Sequence, residues 1–322
     1  MLIAKHALWQ GGLHPEDGNH APYHAEIREV LRDIGLQLTV ADSYAALFGR
    51  PDVDFVFPLL NRGGFLNSEM LVPLLCTRAG IPFLGASPIL RGLGDDKHLA
   101  KLEAQARGVP TAPWVIYRRG APVREGACPM SARMVVKPNA SSASWGVRDA
   151  DSWAGVKAAV EAIHAEGHDA IVEPFIAGSD IEVPVILQGG VPVILPMMQF
   201  AQADPTLLRT YDEKRDLAAG GQRYETVAYE DARWQPRVAE LTRWMAEVFH
   251  PFDYGRFEFR YDVERDEMLF MEVNLNCNLW SKKAFAGSAA LAGLSHAELI
   301  ETILAESLQR HGLMARDRAL AA

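Results

Sequence analysis

Residues 254–279 read YGRFEFRYDVERDEMLFMEVNLNCNL, and the alternation within them decides the fold. The odd positions are apolar: Phe257, Phe259, Tyr261 and Val263, then Leu269, Met271, Val273 and Leu275. A period of two is what strands show when one face covers a core. The even positions carry Arg256, Glu258, Arg260, Glu272 and Asn274. A short turn centred on Arg265 predicts a hairpin with Glu258 and Glu272 directly opposite one another on the non-core face. Facing carboxylates repel unless something positive lies between them. Two carboxylates and an amide oxygen are hard ligands of the kind Mg²⁺ takes, so Glu258, Glu272 and Asn274 are the candidate metal ligands. The plainer alternative is a sheet edge carrying exposed acids.

Working outward, the 322-residue chain is long enough for two or three domains. Its composition, 49% apolar and 23% charged, is that of a soluble globular protein. A net charge of -9 argues against a nucleic-acid partner, which needs a basic face, and leaves room for a local basic pocket around a small phosphate. Cys76, Cys128 and Cys277 are widely spaced and form no CxxC pair, so neither a disulfide framework nor a zinc site is expected. A reducing, cytoplasmic location fits that usage. The apolar run at the N-terminus is too short for a signal peptide. The greasiest later segment, 181–200, is broken by Glu182, by Gly189-Gly190 and by three prolines, which makes it a strand pair and not a membrane span.

The first third alternates strand and helix signals, the pattern of an open, mostly parallel α/β sheet. Strands are expected at 2–9, 36–40, 53–60 and 81–84, and helices at 24–34 and 68–79. No GxGxxG stands at a strand-to-helix turn, which disfavours dinucleotide binding. The Gly-, Pro- and Ser-rich residues 85–94 predict a boundary and divide the chain into units 1–94, 95–178 and 179–322. Asp95 is read as the cap of a helix at 96–107. The central unit should hold a strand at 134–137, a Ser-rich loop at 139–146, a helix capped by Asp151 and closed by Gly167, and a strand at 170–174. The third should hold a hairpin of 180–187 with 191–197, a polar loop at 202–221 and an amphipathic helix at 234–249. A final helix opens on the capping box Ser295 to Glu298.

Several residues sit where strands end or loops begin. Lys97, one turn into a helix, opposes the macrodipole unless an anion compensates; the alternative is a solvated lysine. Lys137 closes an apolar run beside the small residues 141–146, which let backbone N–H groups approach a phosphate. Glu173 and Asp180 flank the turn of EPFIAGSD, suited either to an adenine amino group and ribose hydroxyls or to simple exposure. Tyr211, Lys214 and Arg215 lie in the polar loop, readable as a lid. His14, His20 and His24 are interrupted by Pro15 and Pro22 and read as a surface loop. Trp153, Trp234 and Trp244 fall on apolar helix faces and read as core.

In order along the chain, GIPFLG at 80–85 and the segments DDKHLAK, GVPTAPW, VVKP, EPFIAGSDIEVPVIL, YDEK, YGRFEF and MEVNLN resemble the ATP-grasp superfamily, within it the D-alanine–D-alanine ligase family. The resemblance covers 55–281. It implies a Rossmann-like N-terminal domain and two α+β subdomains that clamp ATP. It implies a ligase that activates a carboxylate as an acyl phosphate, forms an amide with an amine, and releases ADP and phosphate. ATP and two Mg²⁺ ions, with Mn²⁺ as a substitute, would be its cofactors, amino-acid-like molecules its substrates, and a homodimer an assembly open to it. By this resemblance Lys97, Lys137 and Ser144 meet the nucleotide phosphates, Glu173 and the backbone at Ile176 the adenine, and Asp180 the ribose. Lys214 would reach the γ-phosphate. Glu258, Glu272 and Asn274 would hold the two metal ions, Arg256 would steady the acyl phosphate and the tetrahedral species, and Glu16 would lie near the first substrate's amine.

The departures from the family pattern gather at the substrate end. A Pro-Gly pair is here Cys277-Asn278, and a serine that holds the second amino acid's carboxylate is Lys283. Arg215 stands where a tyrosine usually does, Ser142-Ala143-Ser144 replaces Gly-Ser-Ser, and Phe65 replaces an acid. Asn278, Trp280, Lys283 and Arg215 are therefore the candidate substrate residues. The changes imply substrates other than two D-alanines, joined in a specialised-metabolism peptide or amide, or closed into a ring. D-alanyl-D-alanine synthesis for the cell wall is the runner-up, and a non-catalytic nucleotide-binding protein is disfavoured by the retained lysines and acids.

Overall fold

The computed structural model describes residues 1–60 and 68–315; Phe65 lies outside them. The N-terminal strands are shorter than the hydrophobic runs suggest. β1 (Leu2–Ile3) lies between β2 (Val40–Ala41) and β3 (Phe57–Pro58), all parallel. Residues 5–8 turn away after two paired residues, and the run at 81–84 contributes a single bridge from Phe83 to Val56. Parallel neighbours need crossovers, supplied by α1 (His20–Asp33) and the short α2 (Ala45–Phe48). α3 (Leu71–Ala79) follows and stops at a left-handed Gly80. The stretch read as a loop boundary is largely helical, α4 (Pro88–Asp95). Its Pro88 occupies the first turn, where a missing N–H costs nothing. α5 (Lys97–Ala106) begins at once, and its cap is Asp96 instead of Asp95, accepting from the Leu99 N–H.

A second, antiparallel sheet holds β4 (Val115–Tyr117), β5 (Met134–Pro138), β6 (Arg148–Ala150) and β7 (Ala170–Pro174) in the order β4-β7-β5-β6. α6 (Trp153–Ala165) lays Val156, Val160 and Ile163 on it. The cap of α6 is Ser152, accepting from the Gly155 N–H, and not Asp151.

The third sheet is built from β8 (Asp180–Gln188), β9 (Val191–Ile194), β10 (Met198–Gln202), β11 (Tyr224–Ala228), β12 (Tyr254–Asp262) and β13 (Glu267–Asn274). Its order is β11-β10-β8-β12-β13, with β9 paired to β8. α7 (Tyr211–Lys214) interrupts the β10–β11 connection, and α8 (Gln235–Phe249) covers one face through Val238, Leu241, Met245 and Phe249. α9 (Ala284–Leu291) and α10 (His296–Arg310) lead the chain back to its beginning, where Ile300, Ile303 and Leu304 share a core with Ile27 and Leu31. Arg310 and Ser307 of α10 bond the fully buried Asp253, at 2.9 and 2.7 Å. Among the described residues no helix is long and apolar enough to cross a membrane.

The hairpin of β12 and β13 departs from simple alternation in one place. Glu258 does face Glu272, but the turn lies half a residue earlier than a centre on Arg265, with Asp262 pairing Glu267. A bulge at Met271 makes up the difference, so that Phe259 pairs Phe270 while Glu258 pairs Glu272. Beyond the bulge the faces exchange. Met268 and Phe270 go into the core with Val273 and Leu275, whereas Leu269 joins Glu272 on the other face and Val263 is exposed.

Candidate active site

Two adjoining cavities open on the non-core face of the third sheet. The first lies against β5, β7 and the Ser-rich loop, and the second lies toward α9 and α1. The first brings together Lys97, Lys137, Ser144, Glu173, Ile176, Asp180, Lys214, Glu258 and Glu272, which the sequence distributes over 176 positions.

Each position has a local cause. Lys97 opens α5, and its Nζ donates to the Ser141 carbonyl at 2.7 Å and lies 3.1 Å from Glu272. Lys137, one residue before the end of β5, lies opposite Ile171 of β7, and its ammonium meets the Glu173 carboxylate at 2.7 Å. Lys101, one turn after Lys97, takes the other oxygen at 2.7 Å. Burial pushes the Glu173 carboxyl up, but the two ammonium groups outweigh it and hold the group at about 2. Asp180 begins β8 and is gripped by Arg209 at 2.7 Å and by Arg260, which hold its carboxyl low against burial. Arg260 also donates to the Ile176 carbonyl at 2.8 Å. The turn between β7 and β8 reaches β12 so closely that a Cβ on Gly178 would fall 1.8 Å from the Tyr261 oxygen.

The loop after β5 is strained. Ala143 and Ser144 are both left-handed, at φ 53° and 60°, a conformation costing about 1–2 kcal/mol for a residue with a Cβ. Such strain persists where the surroundings over-determine it, which is frequently at binding sites.

Glu182, Glu258 and Glu272 stand in register on β8, β12 and β13, a row of three carboxylates. Arg256 reaches across two of them, 2.6 Å from Glu258 and 3.4 Å from Glu182. Asn274 donates its Nδ2 to Glu258 at 2.7 Å. Burial pushes Glu182 up to about 7, Arg256 opposing it and Glu258 reinforcing it. Glu272 is held at about 2, the pull of Lys97, Lys137 and Lys214 exceeding the cost of burial. This donor set draws positive groups around Glu258, and it fits a hard divalent cation between Glu258 and Glu272 once the Asn274 amide presents its oxygen.

Lys214 ends α7, a single turn fixed by a capping box between Thr210 and Glu213. Burial, reinforced by Arg209, lowers its ammonium to about 8. The segment is latched to the N-terminal unit: Asn19 donates to the Lys214 carbonyl at 2.9 Å and its backbone N–H to the Arg215 carbonyl at 3.0 Å. Gly18 permits this approach, since a Cβ there would lie 1.9 Å from the Arg215 oxygen.

The second cavity is lined by Arg256 and Asn274 with Arg215, Asn278 and Lys283, joined by Glu182 and Cys277. Lys283 lies 3.4 Å from Asp216. Two expected residues fall elsewhere. Trp280 is buried in the core around α1, its Nε1 donating to Glu26 at 3.2 Å, because the chain turns inward after Asn278. Glu16 is exposed and lines neither cavity; the acid that faces inward there is Asp17, in a third cavity with His6, His20 and His24. His20 and His24 lie on α1 and not in a loop, Pro22 falling among the first N–H groups that have no helical partner anyway. His24 is buried, and burial lowers it to about 3.

Sequence reasoning passed over Lys101, Glu182, Arg209 and Arg260. Three had a signal: Lys101 is four residues after Lys97 on one helix face, Glu182 is two after Asp180 on one strand face, and Arg260 shares the even face of the hairpin. Arg209, inside the polar loop, had none.

The family model for the D-ala D-ala ligase C-terminus matches residues 104–305. A D-alanine–D-alanine ligase of Actinobacillus pleuropneumoniae is 28% identical over 305 residues, 93% of this chain and 97% of its own. The uncharacterized protein y4sG of Sinorhizobium fredii is 29% identical over 241 residues, 74% of this chain and 70% of its own. In fold, the chain superposes on the D-alanine–D-alanine ligase from Bacillus anthracis complexed with ATP with a TM-score of 0.74, covering 97% and 98% of the two chains at 17% identity.

Proposed function

Because this chain belongs to the D-alanine–D-alanine ligase family, ATP-grasp enzymes that form C–N bonds, we propose that it joins the carboxylate of one amino-acid-like substrate to the amine of another at the expense of ATP. The observation that carries this reading is the convergence of Lys97, Lys137 and Lys214 on the face where Glu258 and Glu272 stand opposed.

ATP lies in the first cavity as a substrate. Lys97, Lys137 and the loop at Ser144 neutralise its phosphates. Glu173, which keeps lone pairs beyond those its lysines use, and the backbone at Ile176 meet the adenine, and Asp180 meets the ribose. Glu258, Glu272 and Asn274 would hold Mg²⁺, which supplies charge neutralisation and a template for in-line transfer. The donor's carboxylate oxygen attacks the γ-phosphorus and ADP leaves; this step is mostly positioning and charge, and Lys214 provides both. The acceptor's amine then attacks the acyl carbon, Arg256 faces the oxyanion, and phosphate and a proton leave as the amide forms. α7 and its latch exclude water, which would hydrolyse the acyl phosphate.

The second cavity, with Arg215, Asn278 and Lys283 on its wall, supports substrates different from two D-alanines, and we extend the proposal to a place in specialised metabolism. The 28% identity with the Actinobacillus pleuropneumoniae enzyme over nearly the whole chain favours a second reading, D-alanyl-D-alanine formation. Incubation with Mg·ATP and panels of D- and L-amino acids, reading phosphate release and product mass, tests both. D-alanyl-D-alanine as the main product overturns the altered-substrate reading, and AMP with pyrophosphate overturns the acyl-phosphate mechanism.

A further inference from the structure

The roles above engage Glu258 and Glu272 and leave Glu182, the third carboxylate of the row, with none. Glu182 is 2% exposed and lines the second cavity beside Arg256, Asn278 and Lys283. Its Oε1 lies 3.4 Å from the Arg256 guanidinium. Its Oε2 is fully enclosed and accepts no hydrogen bond. A buried carboxylate oxygen in that condition is costly until a donor reaches it.

None of the neighbouring donors reaches that oxygen. Arg256 gives two N–H groups to Glu258, Arg209 gives two to Asp180, and Asn274 gives its amide to Glu258. The donor for Glu182 Oε2 therefore comes with the ligand. Arg256 is the group placed at the oxyanion, and the oxyanion and the attacking nitrogen are bonded to one carbon. A carboxylate that touches Arg256 is within reach of that nitrogen. Glu16, exposed and outside both cavities, offers no such contact.

Resting on the ligase reading, we propose that Glu182 binds the ammonium group of the attacking amino acid and so aims its nitrogen, which attacks as the free amine once one ammonium proton has passed to solvent, the amino acid's own carboxylate lying toward Lys283. A neutral amine or ammonia would leave Glu182 uncompensated.

Competition between nucleophiles tests this. The wild-type protein is given Mg·ATP, the amino-acid pair that releases most ADP, and hydroxylamine, a nucleophile that is neutral near pH 7 and traps acyl phosphates as hydroxamates. The readout is the ratio of amide to hydroxamate. Glu182→Gln is expected to lower that ratio about tenfold and to raise KM for the amine-donating amino acid by a similar factor, the size of a lost charge-assisted hydrogen bond. KM for ATP should change less than about twofold. Glu182→Asp, which keeps the charge, is expected to recover part of the ratio. It also serves as the test if the Gln variant does not fold, its carboxylate being withdrawn by one methylene and its ratio lowered several-fold. An unchanged ratio in the variant that folds overturns the proposal, as does a wild-type protein that forms hydroxamate but no amide with any amino acid. Absence of ADP release with every amino acid overturns the ligase reading itself and this inference with it.

Discussion

Glu173 and Lys137 are ion-paired at 2.7 Å at the back of the first cavity, and Lys101 approaches the other carboxylate oxygen at the same distance. All three are buried. Removing one member of such a group leaves an uncompensated charge away from water, so Glu173→Gln is expected to lower stability by about 3–5 kcal/mol at neutral pH. The Glu173 carboxyl is depressed from 4.5 to about 2 on folding. Its contribution is therefore full above the unfolded value and is lost as pH falls through the folded one. Urea unfolding at about pH 7 and about pH 3 should show the gap between wild type and variant narrowing at the lower pH. A gap that stays constant contradicts the pairing.

In the proposed role Lys214 must be charged to meet a phosphate, and burial brings its ammonium to about 8. kcat/KM for ATP, which reports the free enzyme, should be level below that value and fall as pH rises through it. Lys214→Arg should carry the level region to higher pH, since a guanidinium keeps its proton. Lys214→Met should lose about 10²–10³-fold in kcat/KM at neutral pH. An alkaline limb that persists unchanged in the Arg variant assigns the titration to another group.

Glu272→Gln removes one charge from the pair facing Lys97. The Mg²⁺ concentration giving half-maximal ADP release is expected to rise about tenfold or more. Turnover that survives intact at low Mg²⁺ removes Glu272 from the metal site.

Gly18→Ala would set a methyl group against the Arg215 carbonyl and unseat the latch from Asn19. On the proposed lid role, α7 should then open more often. Trypsin should cut after Lys214 or Arg215 several-fold faster, and more ATP should be hydrolysed per amide formed. Unaltered cutting would mean that the latch holds nothing closed.

The parts of this molecule that could be read in advance are those where one physical constraint acts alone. Ala170–Pro174 came out whole because its apolar residues Ala170, Ile171 and Val172 are buried in succession, on both faces of the strand. Glu258 and Glu272 came out opposed because two departures from simple alternation cancel, a turn centred half a residue early and one extra residue at Met271. The N-terminal sheet was overdrawn, since the apolar residues within 2–9 show only that some of the segment is buried, and Lys5 and Leu8 are exposed while pairing stops at Ile3. Trp280 was misplaced for a related reason, its surroundings being set by Glu26, 254 positions away. Lys101 and Glu182 were visible but undervalued: each repeats a charge already noticed one period earlier, and only packing reveals that the repeat faces the same cavity.

The bulge at Met271 has a metrical consequence. In a regular strand Leu269 and Glu272 would point in opposite directions; with one residue inserted between them they share a face. β13 thereby becomes a graduated rule, with an apolar mark at Leu269 and polar marks at Glu272 and Asn274. The marks span roughly 15 Å at about 3.3 Å per residue. Under the proposed function, a nucleotide laid along it would be read for length as well as for its ends.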